Sequence, residues 1–393
     1  MDLSYSPEEM TFREEVQLWL KSNVPEHIRQ KVIRYQALTR DDYNSWHGIL
    51  ADKGWSVPHW PVEWGGTGWN VTQRYIFDEE FGAAAAPALP PLGPHMCASV
   101  LMKFGTDVQK KKFLPRIRTG EDFWIQGYSE PSAGSDLAAI QTKAERIADH
   151  YVVNGQKIWT TLGQFGDWIF CLVRTNFKVE KKQDGISFLL IDMKTPGITV
   201  RPIILMDGGH EVNEVFFKDV IVHKENLVFE EDKGWTVAKY LLGHERMNSA
   251  RVGISRRELK ALKNLAATQI KNNRPLIEDT RFRDRLARIE IELTALEITA
   301  MRFLDRMRQA GQPPGADVSV LKIKGTEIQQ QITELMMQSI GLKALPRHSL
   351  GHHNWDDWAA EIAPRYFNFR KTSIYAGSNE IQRNIIAKMT LGL

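Results

Sequence analysis

Between Phe123 and about Val228 the hydrophobic pattern is that of short strands, and on either side of it the pattern is helical. In the middle stretch the β-branched and aromatic runs Tyr151-Val152-Val153, Trp168–Val173, Ile186–Ile191 and Ile198-Thr199-Val200 are separated by turn residues. This is the signature of a compact antiparallel β domain. Ahead of it, Ser6-Pro7-Glu8-Glu9 reads as a capping box with Pro at the first helical position, backed by Phe12, Val16, Leu18 and Leu20. Thr39-Arg40-Asp41-Asp42 starts another helix by the same logic. Helical patterning returns from Lys110 to Ile117, after the Trp64–Gly68 loop and the Leu89–Pro94 turn. From Gly234 onward long helical patterns, broken at Asn272–Pro275 and Gly311–Gly315, predict a bundle. A chain of 393 residues exceeds what one core of about 250–300 residues organises. The expectation is an α+β multidomain protein: an N-terminal α-helical domain over 1–122, a middle β domain over 123–231 and a C-terminal helix bundle over 232–393.

Composition narrows the function. A hydrophobic content of 42% and a charged content of 25% are those of an ordinary globular protein. No apolar run approaches the ~18 residues of a membrane span. The N-terminus Met1–Ser6 lacks the basic and apolar segments of a secretory signal, so a cytoplasmic location is expected. A formal net charge of +3 is too small to argue for nucleic acid, and the basic residues from Arg251 to Arg288 alternate with acidic and apolar ones as on a solvated helix face. Cys97 and Cys171 make no disulfide framework, no Cys/His cluster has metal-ligand spacing, and both cysteines read as ordinary buried residues.

Two linked motifs carry the chemistry: Ser129-Glu130-Pro131-Ser132-Ala133-Gly134-Ser135-Asp136 and Asn154-Gly155-Gln156-Lys157-Ile158-Trp159-Thr160-Thr161. Small residues let backbone N–H groups approach an anionic or electron-rich ring system, hydroxyls donate hydrogen bonds, and the Trp offers a flat face for stacking. A Gly/Ser-rich turn or an Asn-Gly hairpin alone is common in β-rich domains; the two in this order and spacing are far more specific.

Together they resemble the flavin-binding strands of the acyl-CoA dehydrogenase family. The resemblance extends over nearly the whole chain, through Phe104-Gly105-Thr106 with Leu114-Pro115 to the closing Glu380-Ile381-Gln382-Arg383-Asn384, and it implies that Phe217–Val222, running on into Asn226-Leu227, is the last strand before the C-terminal helices. It implies FAD as cofactor, an acyl-CoA substrate oxidised to the trans-2-enoyl-CoA with hydride passing to flavin N5, and an electron-transfer flavoprotein as electron acceptor. An acyl-CoA oxidase or flavin monooxygenase on the same scaffold, or a non-catalytic subunit of a heteromer, are the other readings. Matched residue by residue, Gln126, Tyr128 and Ser129 fall around the pyrimidine side of the flavin. Trp159 is the stacking Trp, Thr161 the hydroxyl near N5 with Thr160 beside it, and Ser135 a phosphate contact that also borders the substrate. Gln338 resembles the Gln meeting the adenosine half of the cofactor, and Ser378 and Glu380 resemble the C-terminal contacts.

Removing the α proton needs a base. Many family members carry it as the Glu of a C-terminal Tyr-Glu-Gly motif, where this chain has Tyr375-Ala376-Gly377. Isovaleryl-type and long-chain-type members carry it on a helix after the β domain, immediately before an Arg, and here that place holds Glu245-Arg246. Helical spacing sets Leu241, Glu245, Asn248 and Val252 along one stripe, so Glu245 interrupts an apolar face. The assignment is Glu245 as base, the Ala376 N–H as donor to the thioester oxygen, and Arg246 and Tyr375 on the substrate side. A surface ion pair of Glu245 with Arg246 or Arg251 is the structural alternative.

The family also presents an Arg and a Phe to the flavin of a neighbouring subunit, just before a Gly-Arg-Pro-like turn. Here the turn is Asn273-Arg274-Pro275, and the two positions hold Gln269 and Asn272. Either a homotetramer holds its adenosine moiety differently, or the chain works in a dimer of heterodimers with a related subunit, as in the heteromeric enzymes of bacterial steroid and dicarboxylate degradation.

Overall fold

The computed structural model describes residues 4–244, 250–310, 315–345 and 359–393. Six helices open the chain: α1 (Pro7–Asn23), α2 (Glu26–Ile33), α3 (Arg40–Lys53), α4 (Val71–Ala83), α5 (Ala98–Phe104) and α6 (Asp107–Thr119). Strands follow: β1 (Trp124–Gly127), β2 (Lys143–Ile147), β3 (His150–Thr161), β4 (Trp168–Arg174), β5 (Ile186–Asp192), β6 (Ile198–Ile204), β7 (His210–His223) and β8 (Leu227–Val228). The remainder is helical, with α7 (Gly234–His244), α8 (Val252–Thr268), α9 (Thr280–Ala310), α10 (Ser319–Ile340), α11 (Ile362–Phe369) and α12 (Asn379–Met389). A short hairpin of β9 (Ile270–Lys271) and β10 (Arg274–Pro275) divides α8 from α9, turning on Asn272 and Asn273, both with positive φ. The chain gathers into two compact units, one of Met1–Leu38, Trp69–Ala88 and Arg246–Leu393, the other of Thr39–Gly68 and Leu89–Glu245.

Local signals set the helix starts. Ser6 and Glu9 exchange both bonds of a capping box, at 3.2 and 2.9 Å, and Thr39 with Asp42 and Thr106 with Gln109 repeat the device on α3 and α6. In α1 the buried stripe is Phe12, Val16 and Leu20. Leu18, two residues and so about 200° from that stripe, is 66% exposed rather than a core position.

The sheet order is β6-β7-β3-β2-β4-β5-β8, with β1 paired to β4. It is mixed, not purely antiparallel: β1 runs parallel to β4, and β2 meets β4 in a parallel pair at Lys143 and Arg174. The long excursion between β1 and β4 supplies the crossover that parallel neighbours require. The last long strand, β7, begins at His210, ahead of the expected Phe217. Its polar start is held by pairing on both sides, Val212 opposite Thr161 of β3 and Ile203 of β6. Phe113, Trp124 and Trp168 pack as an aromatic trio with centroid separations of 4.9–5.7 Å, and Cys97 and Cys171 are fully buried free thiols in the same core.

The helical unit packs α8, α9 and α10 around Leu262, Leu286, Leu293, Phe303, Ile328 and Ile332. Beside that core lies a buried charge cluster. The Glu258 carboxylate meets Arg365 at 2.7 Å and Arg257 at 2.9 Å and accepts from the Tyr35 hydroxyl, while the Arg365 guanidinium lies over the Tyr35 ring. No helix among the described residues is long and apolar enough to cross a membrane.

Candidate active site

The first motif is a loop leaving β1, and the second is the far half of β3. What joins them is a bulge. Lys157 pairs with Val215 of β7 and Thr160 with Asn213, so Ile158 and Trp159 drop out of the ladder. The freed Ile158 N–H donates to the Ser129 carbonyl at 2.9 Å. Lys157, fully buried, turns its ammonium onto Glu130 at 2.7 Å and the Tyr128 carbonyl at 3.2 Å. The other bonds of Glu130 come from the backbone N–H groups of Gln141, at 2.6 Å, and Thr142, at 2.9 Å. Burial pushes the Glu130 carboxyl up, but the Lys157 charge and these donors outweigh it and hold the group below its ordinary value. The loop is thus stapled to the bulge at several points.

The staple leaves Trp159 in the left-handed region, φ 60°, and the residue is 55% exposed. Such a backbone is costly for an aromatic residue and marks functional sites. Thr160 is buried, its carbonyl accepts from Asn213 Nδ2 at 3.1 Å, and its Oγ1 is buried with no hydrogen-bond partner among the described residues. Thr161 and Gln126 are partly buried at the ends of β3 and β1, and Ser129 is partly buried. Tyr128 is buried with its ring edge-on to Phe170. Ser135 is exposed beside Gly134, where an added Cβ would meet nothing within 4 Å. An exposed flat ring, an orphaned hydroxyl and an open small-residue loop fit a polar aromatic ring carrying a phosphate tail, as a flavin cofactor does.

In the helical unit, Tyr375 is exposed, Ala376 and Gly377 are both left-handed at φ 54° and 77°, and Ser378 caps α12 through the Ile381 N–H at 3.3 Å. Glu380 is exposed on the first turn, where backbone and Ser378 hydrogen bonds hold its carboxyl below its ordinary value. Gln338 is elsewhere. Lys322, near the start of α10, touches Asn379, whereas Gln338 lies near the end of that helix, about 24 Å away at 1.5 Å per residue. One chain does not bring Gln338 together with Ser378 and Glu380. Gln338 instead borders a groove of about 1280 Å³ whose lining includes Gln269, Lys271, Arg281, Arg285 and Lys343. Its amide oxygen accepts from Arg285 and its nitrogen donates to Glu334 at 3.0 Å.

Glu245 and Arg246 lie outside the described residues. The single stripe from Leu241 to Val252 is not realised as one helix. Arg251 has φ 47°, which an α-helix cannot continue through, so Leu241 ends in α7 and Val252 begins α8. The sequence alone gives Glu130 and Lys157 no role within their motifs. The signal was a lone Glu and a lone Lys in otherwise small or uncharged runs. Lys322 and Arg285 gave no such signal.

A left-handed, exposed Trp beside a stapled hydroxyl loop sits on a mixed sheet in a chain otherwise helical. Profiles of the acyl-CoA dehydrogenase N-terminal, middle and C-terminal domains match residues 6–121, 126–220 and 232–391. The chain belongs to the acyl-CoA dehydrogenase family of flavin-dependent oxidoreductases. It is 37% identical over 392 residues to acyl-CoA dehydrogenase IpdE1 of Mycobacterium tuberculosis, with 97% of each chain covered. It is 32% identical to acyl-CoA dehydrogenase FadE26 of the same organism, with 100% of this chain and 99% of that one covered. Among solved structures it resembles the ChsE4-ChsE5 complex of Mycobacterium tuberculosis, at a TM-score of 0.83 and 31% identity, with 100% and 99% covered. It also resembles the Tcur3481-Tcur3483 steroid acyl-CoA dehydrogenase, at 0.86 and 27% with the same coverage.

Proposed function

We propose that the chain binds FAD and dehydrogenates the Cα–Cβ bond of a bulky, ring-bearing acyl-CoA, with Glu245 taking the α proton and electrons passing on to an electron-transfer flavoprotein. The observation carrying this reading is the stapled bulge that displays Trp159 and leaves the Thr160 hydroxyl orphaned beside a small-residue loop. FAD, when bound, supplies the hydride acceptor. The protein's part is to orient it through Gln126, Tyr128, Ser129, Ser135, Trp159, Thr160 and Thr161, to hold the thioester by the Ala376 N–H, and to accept the proton. The preference for a bulky acyl group rests on likeness to a protein described as a steroid acyl-CoA dehydrogenase. Anaerobic mixing with straight-chain, branched and steroid-side-chain acyl-CoA thioesters tests it. Bleaching by the ring-bearing members, with little oxygen consumed during aerobic turnover, is expected; oxygen consumption matching turnover would make the chain an oxidase.

A second reading concerns assembly. Gln269, where the family has an Arg, favours a site completed otherwise, and two structural neighbours are complexes of two different chains. Arg281 and Arg285, in the same groove as Gln338, can take over the charge-pairing role toward the adenosine diphosphate half of a neighbouring copy's FAD. At about 1.5–3 kcal/mol per charged hydrogen bond, R281A/R285A, which removes at least one such bond at each Arg, should weaken FAD retention by roughly a hundredfold or more on ultrafiltration. Retention unchanged in that variant, together with a poorly loaded parent that fills only on co-expression with a related subunit, would assign the cation to the partner.

A further inference from the structure

Lys322 is a buried lysine with no carboxylate in hydrogen-bond contact among the described residues. It is 5% exposed, and its ammonium donates to Asn379 Oδ1 at 2.9 Å. Asn379 is buried as well, and its amide is shared with the Thr326 hydroxyl at 3.1–3.3 Å. Thr326 in turn donates to the Lys322 carbonyl at 2.9 Å, so α10 closes a ring of bonds around the first residue of α12. Burial brings the ammonium down to about 8, with the charge of Glu380 acting against that, so it remains a cation at neutral pH. Holding an ammonium out of water on a neutral amide oxygen costs stability, and a site indifferent to charge would carry Met or Leu.

What the ring of bonds holds is the turn just before α12. Ala376 and Gly377 are consecutive left-handed residues, a conformation that for Ala needs support from its surroundings. On one side the buried Gln382 places its amide nitrogen 3.5 Å from the Ala376 carbonyl and 3.4 Å from that of Gly377. A Cβ on Gly377 would come within 2.7 Å of that nitrogen, so the approach needs glycine as well as its φ of 77°. On the other side the tether is Asn379, and Lys322 is its charged anchor.

We infer that Lys322 is a positioning residue: bonded to Asn379, it fixes the left-handed 376–377 turn and thereby aims the Ala376 N–H at the thioester oxygen. The inference rests on the dehydrogenase reading, since it presumes that a thioester lies against Ala376. Its logic is that of a preorganised donor, whose value depends on being held in place before charge develops on the oxygen.

Flavin-loaded K322M, K322Q, N379L and K322M/N379L are compared with the parent by rapid-reaction flavin reduction and by the infrared carbonyl stretch of a bound, non-oxidisable acyl-CoA. A misaimed donor costs up to about a hundredfold in rate. K322M should therefore reduce its flavin roughly 10–100-fold more slowly, with KM and flavin content within about threefold and the stretch returned towards its free value. N379L should match it, the double variant should fall no further, and K322Q, whose amide can still donate to Asn379, should recover most of the carbonyl shift. Should K322M fail to hold flavin, N379L and K322Q still decide the matter. A parental rate and stretch in K322M or N379L, or additive losses in the double variant, would overturn the inference. No carbonyl shift and no bleaching in the parent with any thioester would instead overturn the dehydrogenase reading beneath it.

Discussion

E245Q is expected to leave the protein yellow and to stop acyl-CoA from bleaching it. Gln has the shape of Glu and can keep its hydrogen bonds, but it accepts no proton, so the variant separates cofactor binding from chemistry. A positioned general base contributes about 10²–10⁴-fold, and loss of flavin reduction on that scale is expected with flavin content and thioester binding little changed. The alternative position supplies no substitute. Ala376 carries a methyl group, and its neighbours Tyr375 and Gly377 offer no carboxylate. What remains at 376 is an N–H whose direction is set by a left-handed backbone, suited to donating and not to accepting. A rate of flavin reduction in E245Q within about tenfold of the parent's, below the range of a general base, would show that the proton goes elsewhere.

How much was legible in the sequence follows from the range of the interactions. Capping boxes act over three residues, so Ser6, Thr39 and their partners announced α1 and α3 directly. The loop and hairpin motifs are contiguous, and their small residues, hydroxyls and Trp could be read off one stretch of chain. The interactions that make them one site could not. Lys157 and Glu130 are 27 residues apart, and their pairing depends on a bulge created by β7, whose polar first half shows no clean alternation. Lys322 and Asn379 are 57 apart and meet only because α12 packs along α10. A stripe drawn through Leu241 and Val252 assumed an unbroken helix, and the left-handed Arg251 breaks it. The resemblance sets Gln338 with Ser378 and Glu380 around one cofactor, whereas the length of α10 separates them in one chain.

K157M is expected to destabilise the sheet-bearing unit and to cost it the flavin, with a pH signature that identifies the cause. Lys157 and Glu130 are 0% and 4% exposed at the side chain, and removing the ammonium leaves a carboxylate in the core whose other partners are backbone N–H groups. Breaking a buried pair from one side costs about 3–5 kcal/mol. In the parent the Glu130 carboxyl is held below its ordinary value, so its contribution is present above the unfolded carboxyl range and is lost as pH falls through the folded value. In K157M the carboxylate has lost the charge that held it down, and burial raises its pKa. It then takes up a proton on folding at mildly acidic pH, and the stability gap between variant and parent narrows from pH 8 towards pH 5. E130Q/K157M, which removes both charges, should recover part of the stability without restoring the flavin, because Ser129 and Tyr128 would no longer be tied to the bulge by an ion pair. Thermal unfolding of the single and double variants across that pH range, read beside flavin content, checks both halves. A gap that is independent of pH would mean that packing, not an orphaned carboxylate, is what Lys157 provides.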